Sequence, residues 1–217
     1  DGDVEPNPYF SEVHHYDDVY LLENQAYLPL GFLANTELGD LEFRTSADYF
    51  PFQNDLFTAA TGVYSDVWYP VTPQITGEDV TLDSVNGSHA KYSGAQSGSS
   101  VTYSFPMVRE GFVCLDFDVT DRNRYPVYHN GEKLYSESLS LTQMIAACDV
   151  LPGDVIEVKL TCKQGEDGRM TIRAAILDDA LFRRGVEKLG ESTLELSQFD
   201  TTYLRGTVDA AQDGLLY

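Results

Sequence analysis

Three observations predict an all-β fold, an antiparallel β-sandwich of the jelly-roll kind with two or three short helices. Apolar and polar residues alternate through four stretches. Val101, Tyr103, Phe105 and Met107 share one face, with Thr102 and Ser104 opposite, and Val113, Leu115, Phe117 and Val119 share another, with Cys114, Asp116 and Asp118 opposite. Ile156, Val158, Leu160 and Cys162, then Met170, Ile172, Ala174 and Ile176, repeat the pattern. Such alternation marks half-buried antiparallel strands, and two sheets laid face to face bury both apolar sides. Asn86-Gly87 and Asn130-Gly131 are hairpin signals, because these residue types tolerate positive φ. The chain of 217 residues, 42% of them hydrophobic, is long enough for one sizeable core.

The elements follow in chain order. Residues 1–16 are polar, contain Pro6 and Pro8, and read as a linker before a domain over 17–217. His14-His15 ahead of Asp17-Asp18 is a weak metal candidate, since adjacent strand residues point to opposite faces. Residues 17–66 form an entry segment of strand plus short helix. Val19, Tyr20, Leu21 and Leu22 make an apolar run that suits a buried strand, and Asn24 ends it. Pro29 forces Leu28 to be extended, and Gly31 allows a bend before Phe32. From Gln53 the pattern turns helical through Leu56, Phe57 and Ala60, with Gly62 as its C-terminal stop.

Residues 67–177 hold the sandwich core, opening at Trp68-Tyr69-Pro70. Asn86-Gly87-Ser88 also matches a glycosylation acceptor, for which the turn is the preferred reading. Ala90 to Ser100 reads as a loop rich in serine and glycine. Leu139 to Ala147 is a candidate short helix leading into the turn Leu151-Pro152-Gly153-Asp154. Residues 178–217 hold a better-supported helix, Asp178 to Leu189, and closing strands. Asp178 caps the helix, Lys188 sits near its other end, Leu181, Phe182, Val186 and Leu189 form one stripe, and Gly190 stops it. Leu194, Leu196, Leu204 and Val208 then return to strand.

Composition excludes several functions. There are 14 basic against 35 acidic residues, a formal net charge of −21. Such a chain repels nucleic acid and anionic headgroups. No apolar run approaches the ~20 residues needed to span a bilayer. No basic-then-apolar leader opens the chain, and the terminal run Leu215-Leu216-Tyr217 suggests a piece of a longer protein. Three cysteines, Cys114, Cys148 and Cys162, form no disulfide framework. A Cys148–Cys162 bridge is left open, with a buried thiol preferred at Cys162.

Several short motifs agree in order with a known family. Tyr20 to Phe32 resembles the "vYeNpyaLPlGF" signature of YfhO-type bacterial membrane proteins, and Pro51 to Gly62 resembles that family's "PFeNQN" segment. The matching positions are Asn24, Leu28, Pro29, Gly31, Phe32, Gln53, Asn54 and Gly62. Later stretches extend the resemblance through Asn130-Gly131, Gly153-Asp154, Leu177 to Phe182, and Leu204 to Val208. For the Gln53-Asn54 pair, packing and capping is preferred over ligand contact. The resemblance implies the extracytoplasmic C-terminal domain of a multi-spanning membrane protein, on the outer face of the bacterial membrane. It further implies a parent that is a candidate membrane glycosyltransferase using a lipid-linked sugar. This domain would not be catalytic itself. It would help recognise or orient a cell-envelope glycan acceptor of the lipoteichoic-acid type, with the rest of the parent protein as its partner. The alternatives are an independent carbohydrate-binding module and a purely structural or protein-interaction domain.

No nucleophile elbow, phosphate loop, dinucleotide fingerprint or zinc spacing is present. No catalytic residue and no cofactor other than calcium is therefore assigned. Asp116, Asp118, Asp121 and Asn123 are the calcium candidates, being hard oxygen ligands close in sequence, although Arg122 and Arg124 offer the acids an alternative pairing. Trp68, Tyr69, Tyr125 and Tyr128 are the glycan-stacking candidates, with ordinary packing as the preferred reading in a chain of 14 Tyr and 11 Phe.

Overall fold

The computed structural model describes residues 10–17, 19–42, 48–119, 124–138, 142–210 and 213–217. The chain divides into two compact units. One comprises Asp1–Glu42, Leu56–Ser65 and Ala180–Tyr217, the other Phe43–Asp55 and Asp66–Asp179. In chain order the strands begin with β1 (Phe10–Tyr16), β2 (Val19–Asn24) and β3 (Leu33–Ala34), then helix α1 (Tyr49–Thr61). There follow β4 (Trp68–Val71), β5 (Gln74–Glu78), β6 (Thr81–Asn86), β7 (His89–Ser93), β8 (Ser100–Pro106) and β9 (Gly111–Val119). The chain continues through β10 (Arg124–His129), β11 (Glu132–Ser138), β12 (Thr142–Val150), β13 (Val155–Thr161) and β14 (Gly168–Leu177). It closes with α2 (Asp179–Gly190), β15 (Glu195–Asp200), β16 (Tyr203–Thr207) and β17 (Leu215–Leu216).

The second unit is the antiparallel β-sandwich. One sheet runs β11-β10-β13-β8-β5; the other runs β12-β9-β14-β7-β6, with β4 also paired to β14. The predicted alternation sets the core. Val101, Tyr103 and Phe105 from one sheet, and Val113, Leu115, Phe117 and Ile172 from the other, are each 0% exposed. The Tyr103 hydroxyl crosses between sheets and donates to the Met170 carbonyl at 2.9 Å, which satisfies its only polar atom. The hairpin turns form as predicted. Asn130 and Gly131 both take positive φ (50° and 82°) between β10 and β11, whereas at β6–β7 only Gly87 does (56°).

Three expectations are corrected. Leu139 to Ala147 is not a helix: its described part, from Thr142, lies in β12, paired in register to β9. A short apolar run does not discriminate helix from strand by its period, and the β9 edge supplied the partner. The helix expected from Gln53 starts earlier, at Tyr49, because the Asp48 carboxylate accepts the Phe50 amide at 3.3 Å and Pro51 is tolerated in a first turn. Residues 10–16 of the expected linker form a strand, and its partner Val19–Asn24 is exposed along its length rather than buried. The buried thiol preferred at Cys162 is what the structure shows: Cys148 and Cys162 are both free, the latter 3% exposed.

Gly111, at the start of β9, has φ +145°, and a Cβ there would meet Ile176 Cγ2 at 2.6 Å and the Leu177 carbonyl oxygen. We expect Gly111→Ala to cost about 2 kcal/mol in urea denaturation, since backbone and a β-branched side chain would both have to give. An effect within experimental error would show that this corner relaxes freely.

The first unit contains the β1–β2 and β15–β16 hairpins, the short β3–β17 pair, the C-terminal part of α1 and α2. Gly62 ends α1 at φ +64°, as its position predicted, with its amide donating to the Thr58 carbonyl at 2.8 Å. Gly185 of α2 lies against the Phe57 ring so closely that a Cβ would sit 2.5 Å from Phe57 Cζ.

Candidate functional site

A cavity of about 210 Å³ opens on the outer face of the six-stranded sheet, within the sandwich unit. Strand alternation builds its floor. Because Met170, Ile172 and Ala174 point into the core, Thr171 and Arg173 of β14 point outward. Antiparallel register sets His89 of β7 opposite Thr171 and Asp116 of β9 opposite Arg173. The His89 Nδ1 and Thr171 Oγ1 atoms are 3.0 Å apart. The β6–β7 turn contributes Asn86 and Ser88, β4 contributes Pro70, and the start of α1 contributes Asp48 and Phe50.

Arg173 is the electrostatic centre. Its Nη1 donates to Asp116 Oδ2 at 2.8 Å, and its Nε lies 3.9 Å from Asp48 Oδ2. The Asp116 side chain is only 1% exposed, and its second oxygen has no hydrogen-bond partner among the described residues. Burial pushes the Asp116 carboxyl above the usual carboxylate range, against the opposing pull of Arg173. The geometry therefore presents one fixed guanidinium, clamped from below, among short polar side chains that can both donate and accept.

Of the expected calcium set, only Asp116 and Asp118 are among the described residues. Asp116 is taken by Arg173, Asp118 is exposed on the same strand, and Asp121 and Asn123 lie outside the described residues. Among the described residues no group of three or more His, Cys, Asp or Glu side chains is placed to hold a metal ion. His14 and His15 are occupied by rings: His14 lies 4.1 Å from Tyr16, and His15 stacks on Tyr20 at 4.2 Å.

The four aromatic candidates do not converge. Tyr125 is 2% exposed and packs on Phe117 at 5.7 Å, so it belongs to the core and cannot stack on a ligand. Trp68 is half-buried against Phe50 at 5.4 Å. The Tyr69 ring is covered by Arg109, whose guanidinium carbon is 3.6 Å from the ring centre. Tyr128 is half-buried on the other sheet.

The motif residues are structural wherever their contacts are seen. Asn54, 6% exposed, accepts the amides of Val67 (3.0 Å) and Trp68 (2.7 Å) and donates to the Trp68 carbonyl (2.9 Å). This is a packing contact that ties α1 to β4 and not a helix cap. Gln53 reaches Met144 Sδ at 3.9 Å. Asn24 accepts the Ala26 amide at 2.9 Å, Leu28 and Pro29 are half-buried, Gly31 is buried against Leu194, and Phe32 pairs with Tyr217.

A second polar cluster joins the ends of β10 and β13. His129 Nε2 and Asp154 Oδ2 are 3.0 Å apart, and Asp154 also accepts from Asn130 Nδ2 (2.8 Å) and the Leu151 amide (2.8 Å). These hydrogen bonds, Asn130's foremost, hold the Asp154 carboxyl down at about 2, against an ordinary 3.8. A depressed carboxylate stabilises the fold above its unfolded value and loses that contribution as pH falls through the folded value. The contribution of Asp154 to the melting temperature is thus expected to be constant above the ordinary value of 3.8 and to be lost from there toward about 2, with Asp154→Asn flattening the slope in that range. An unchanged slope in that variant would place the acid sensitivity elsewhere.

Sequence reasoning missed the cavity. Asp48, His89, Thr171 and Arg173 are far apart in the chain, and only the sheet register unites them. One signal was present: Arg173 interrupts the run Ile172, Ala174, Ala175, Ile176, a charge inside a strand otherwise fit for burial.

No protein-family model matches this sequence, and no curated protein matches it. Among solved structures the chain is similar to a family 35 carbohydrate binding module from Clostridium thermocellum, with 9% identity and a TM-score of 0.37 over 50% of this chain and 96% of that one. It is also similar to the CBM36-1 domain of a multidomain xylanase from the hindgut metagenome of Trinervitermes trinervoides, with 12% identity and a TM-score of 0.34 over 50% and 95% of the two chains. The C-terminal CBM6 of LamC from Zobellia galactanivorans aligns at 14% identity and a TM-score of 0.32, over 50% and 98%.

Proposed function

We propose that the sandwich unit is a non-catalytic carbohydrate-binding domain and that its sugar enters the cavity on the six-stranded sheet. The observation that carries this reading is the lining of that cavity. Sugar hydroxyls both donate and accept, and they match a wall of Asn86, Ser88, His89 and Thr171 beside the fixed donor Arg173 and the acceptor Asp48. Pro70 supplies an apolar patch for ring C–H groups. The volume suits one sugar ring, below the ~300 Å³ at which drug-sized pockets begin. Affinity should therefore be weak, a Kd of about 0.1–10 mM.

The resemblance to YfhO-type proteins extends the proposal. The domain would stand on the outer face of the bacterial membrane, attached to its parent membrane protein, and meet an envelope glycan. With a net charge of −21, it would contact neutral sugar units rather than the phosphates of a teichoic-acid-type polymer. Calcium, if used, would act outside the Asp116–Arg173 pair. The rival, a protein-contact domain, draws on the exposed hairpin residues Tyr16, Val19, Phe199 and Tyr203 of the other unit.

An NMR titration of the chain with neutral, amino and acidic oligosaccharides, with and without calcium, tests the reading. Saturable shifts at His89 and Thr171 with a neutral sugar are expected, weakened about tenfold by His89→Ala. Silence at these residues up to the solubility of every sugar would overturn the reading and favour the rival.

A further inference from the structure

We infer that Asn86 is a site of spontaneous covalent modification, deamidation through a cyclic imide, and that the structure protects the chain's other Asn-Gly pair from the same reaction. The sequence contains two such pairs, Asn86-Gly87 and Asn130-Gly131. Both are hairpin turns, and in both a glycine without Cβ leaves the following amide nitrogen open to approach.

The chemistry is self-contained. The Gly87 nitrogen, losing its proton to water or hydroxide, attacks Asn86 Cγ. The Cγ–Nδ2 bond breaks as Nδ2 takes a proton back from water, and ammonia leaves, forming a five-membered imide. Water then adds to either imide carbonyl, giving aspartate or isoaspartate at position 86. No oxidant or cofactor is needed.

What distinguishes the two turns is the hold on the amide. Asn130 is pinned at both ends: Oδ1 accepts the Val155 amide at 2.9 Å, and Nδ2 donates to Asp154 Oδ1 at 2.8 Å. Its Cγ can meet the next nitrogen only after both bonds open. Asn86 is exposed, and its side chain makes no hydrogen bond among the described residues. A Cβ added at Gly87 would find nothing within 4 Å, so there is room at the turn for the imide and for the extra backbone carbon of isoaspartate. Asn86 also lines the cavity, so its product would place a new carboxylate on that wall.

The test is a peptide map by mass spectrometry of the intact chain, aged at mildly alkaline pH, folded and in urea. In the folded chain Asn86 should convert about tenfold faster than Asn130 or more, the penalty for opening two hydrogen bonds at once, one of them to a carboxylate. In urea the two rates should approach each other. Asp154→Ala, which removes one restraint, should raise the Asn130 rate and leave that of Asn86 unchanged. Equal rates in the folded chain, or a faster Asn130, would overturn the inference. So would a folded-state difference that persists undiminished in urea, since it would then come from neighbouring residues in the sequence.

Discussion

Replacing Asn54 with alanine is expected to lower stability by about 3–5 kcal/mol, because it strands three backbone groups at once. The Val67 amide, the Trp68 amide and the Trp68 carbonyl all end on this one side chain. Asn54 is 6% exposed, so water does not readily replace it. The three bonds join the first half of α1 to the start of β4, and β4 is the added strand that pairs with β14. Asn54→Asp is the informative companion. It keeps both acceptor contacts and loses only the donation to the Trp68 carbonyl, at the cost of a buried charge, so it should fall about midway between wild type and alanine. Trp68 is the chain's sole tryptophan, so its fluorescence during urea denaturation reports this junction directly. A loss below about 1 kcal/mol for Asn54→Ala would mean that β4 finds other partners and that the network is incidental.

Much of this architecture was legible because it depends on alternation, a local property. Val113, Leu115, Phe117 and Val119 announce their face without reference to any partner, and both Asn-Gly turns sit where those residue types predicted. The errors share a cause: each depended on what lay across from the segment. Residues 142–147 became strand because β9 offered an edge. The Val19–Leu22 run stayed exposed because, among the described residues, β1 is its only strand partner and edge pairing covers neither face. Tyr125, a stacking candidate for which packing was the preferred reading, does lie on Phe117 in the core. The site was less legible still. Its polar residues come from β6, the β6–β7 turn, β7, β9, β14 and Asp48 just ahead of α1, and no spacing in the chain foretells that Arg173 finds Asp116 57 residues away. Composition argued against nucleic acid, and the odd charge in β14 was visible, but neither points to a cavity.

Arg173→Met should be the most instructive change at that cavity, costing about 3–5 kcal/mol at neutral pH. The methionine fills similar volume, so the loss comes from charge rather than from a void. Asp116 would be left 1% exposed with neither oxygen paired among the described residues, since Oδ1 has no partner even with arginine present. The pH dependence separates this cause from simple misfit. Burial already places the Asp116 carboxyl above its unfolded value, and removing Arg173 takes away the opposing pull. A carboxyl raised in the folded state binds its proton more tightly there than in the unfolded chain, so folding is favoured as pH falls through the raised value. The deficit of the variant should therefore shrink between neutrality and the ordinary carboxylate value of 3.8, whereas a packing defect would persist unchanged. The double variant Asp116→Leu with Arg173→Met should recover most of the loss at neutral pH, because exchanging a buried pair for apolar groups is often neutral. If the double variant is no better than the single one, Arg173 is held by Asp48 and the strand rather than by Asp116. If it folds well yet no longer responds to a sugar that shifts His89 in the wild type, the buried pair serves the ligand at no gain to the fold. A side chain clamped from beneath keeps the guanidinium in one orientation at the cavity floor, which lowers the ordering cost of whatever it meets there.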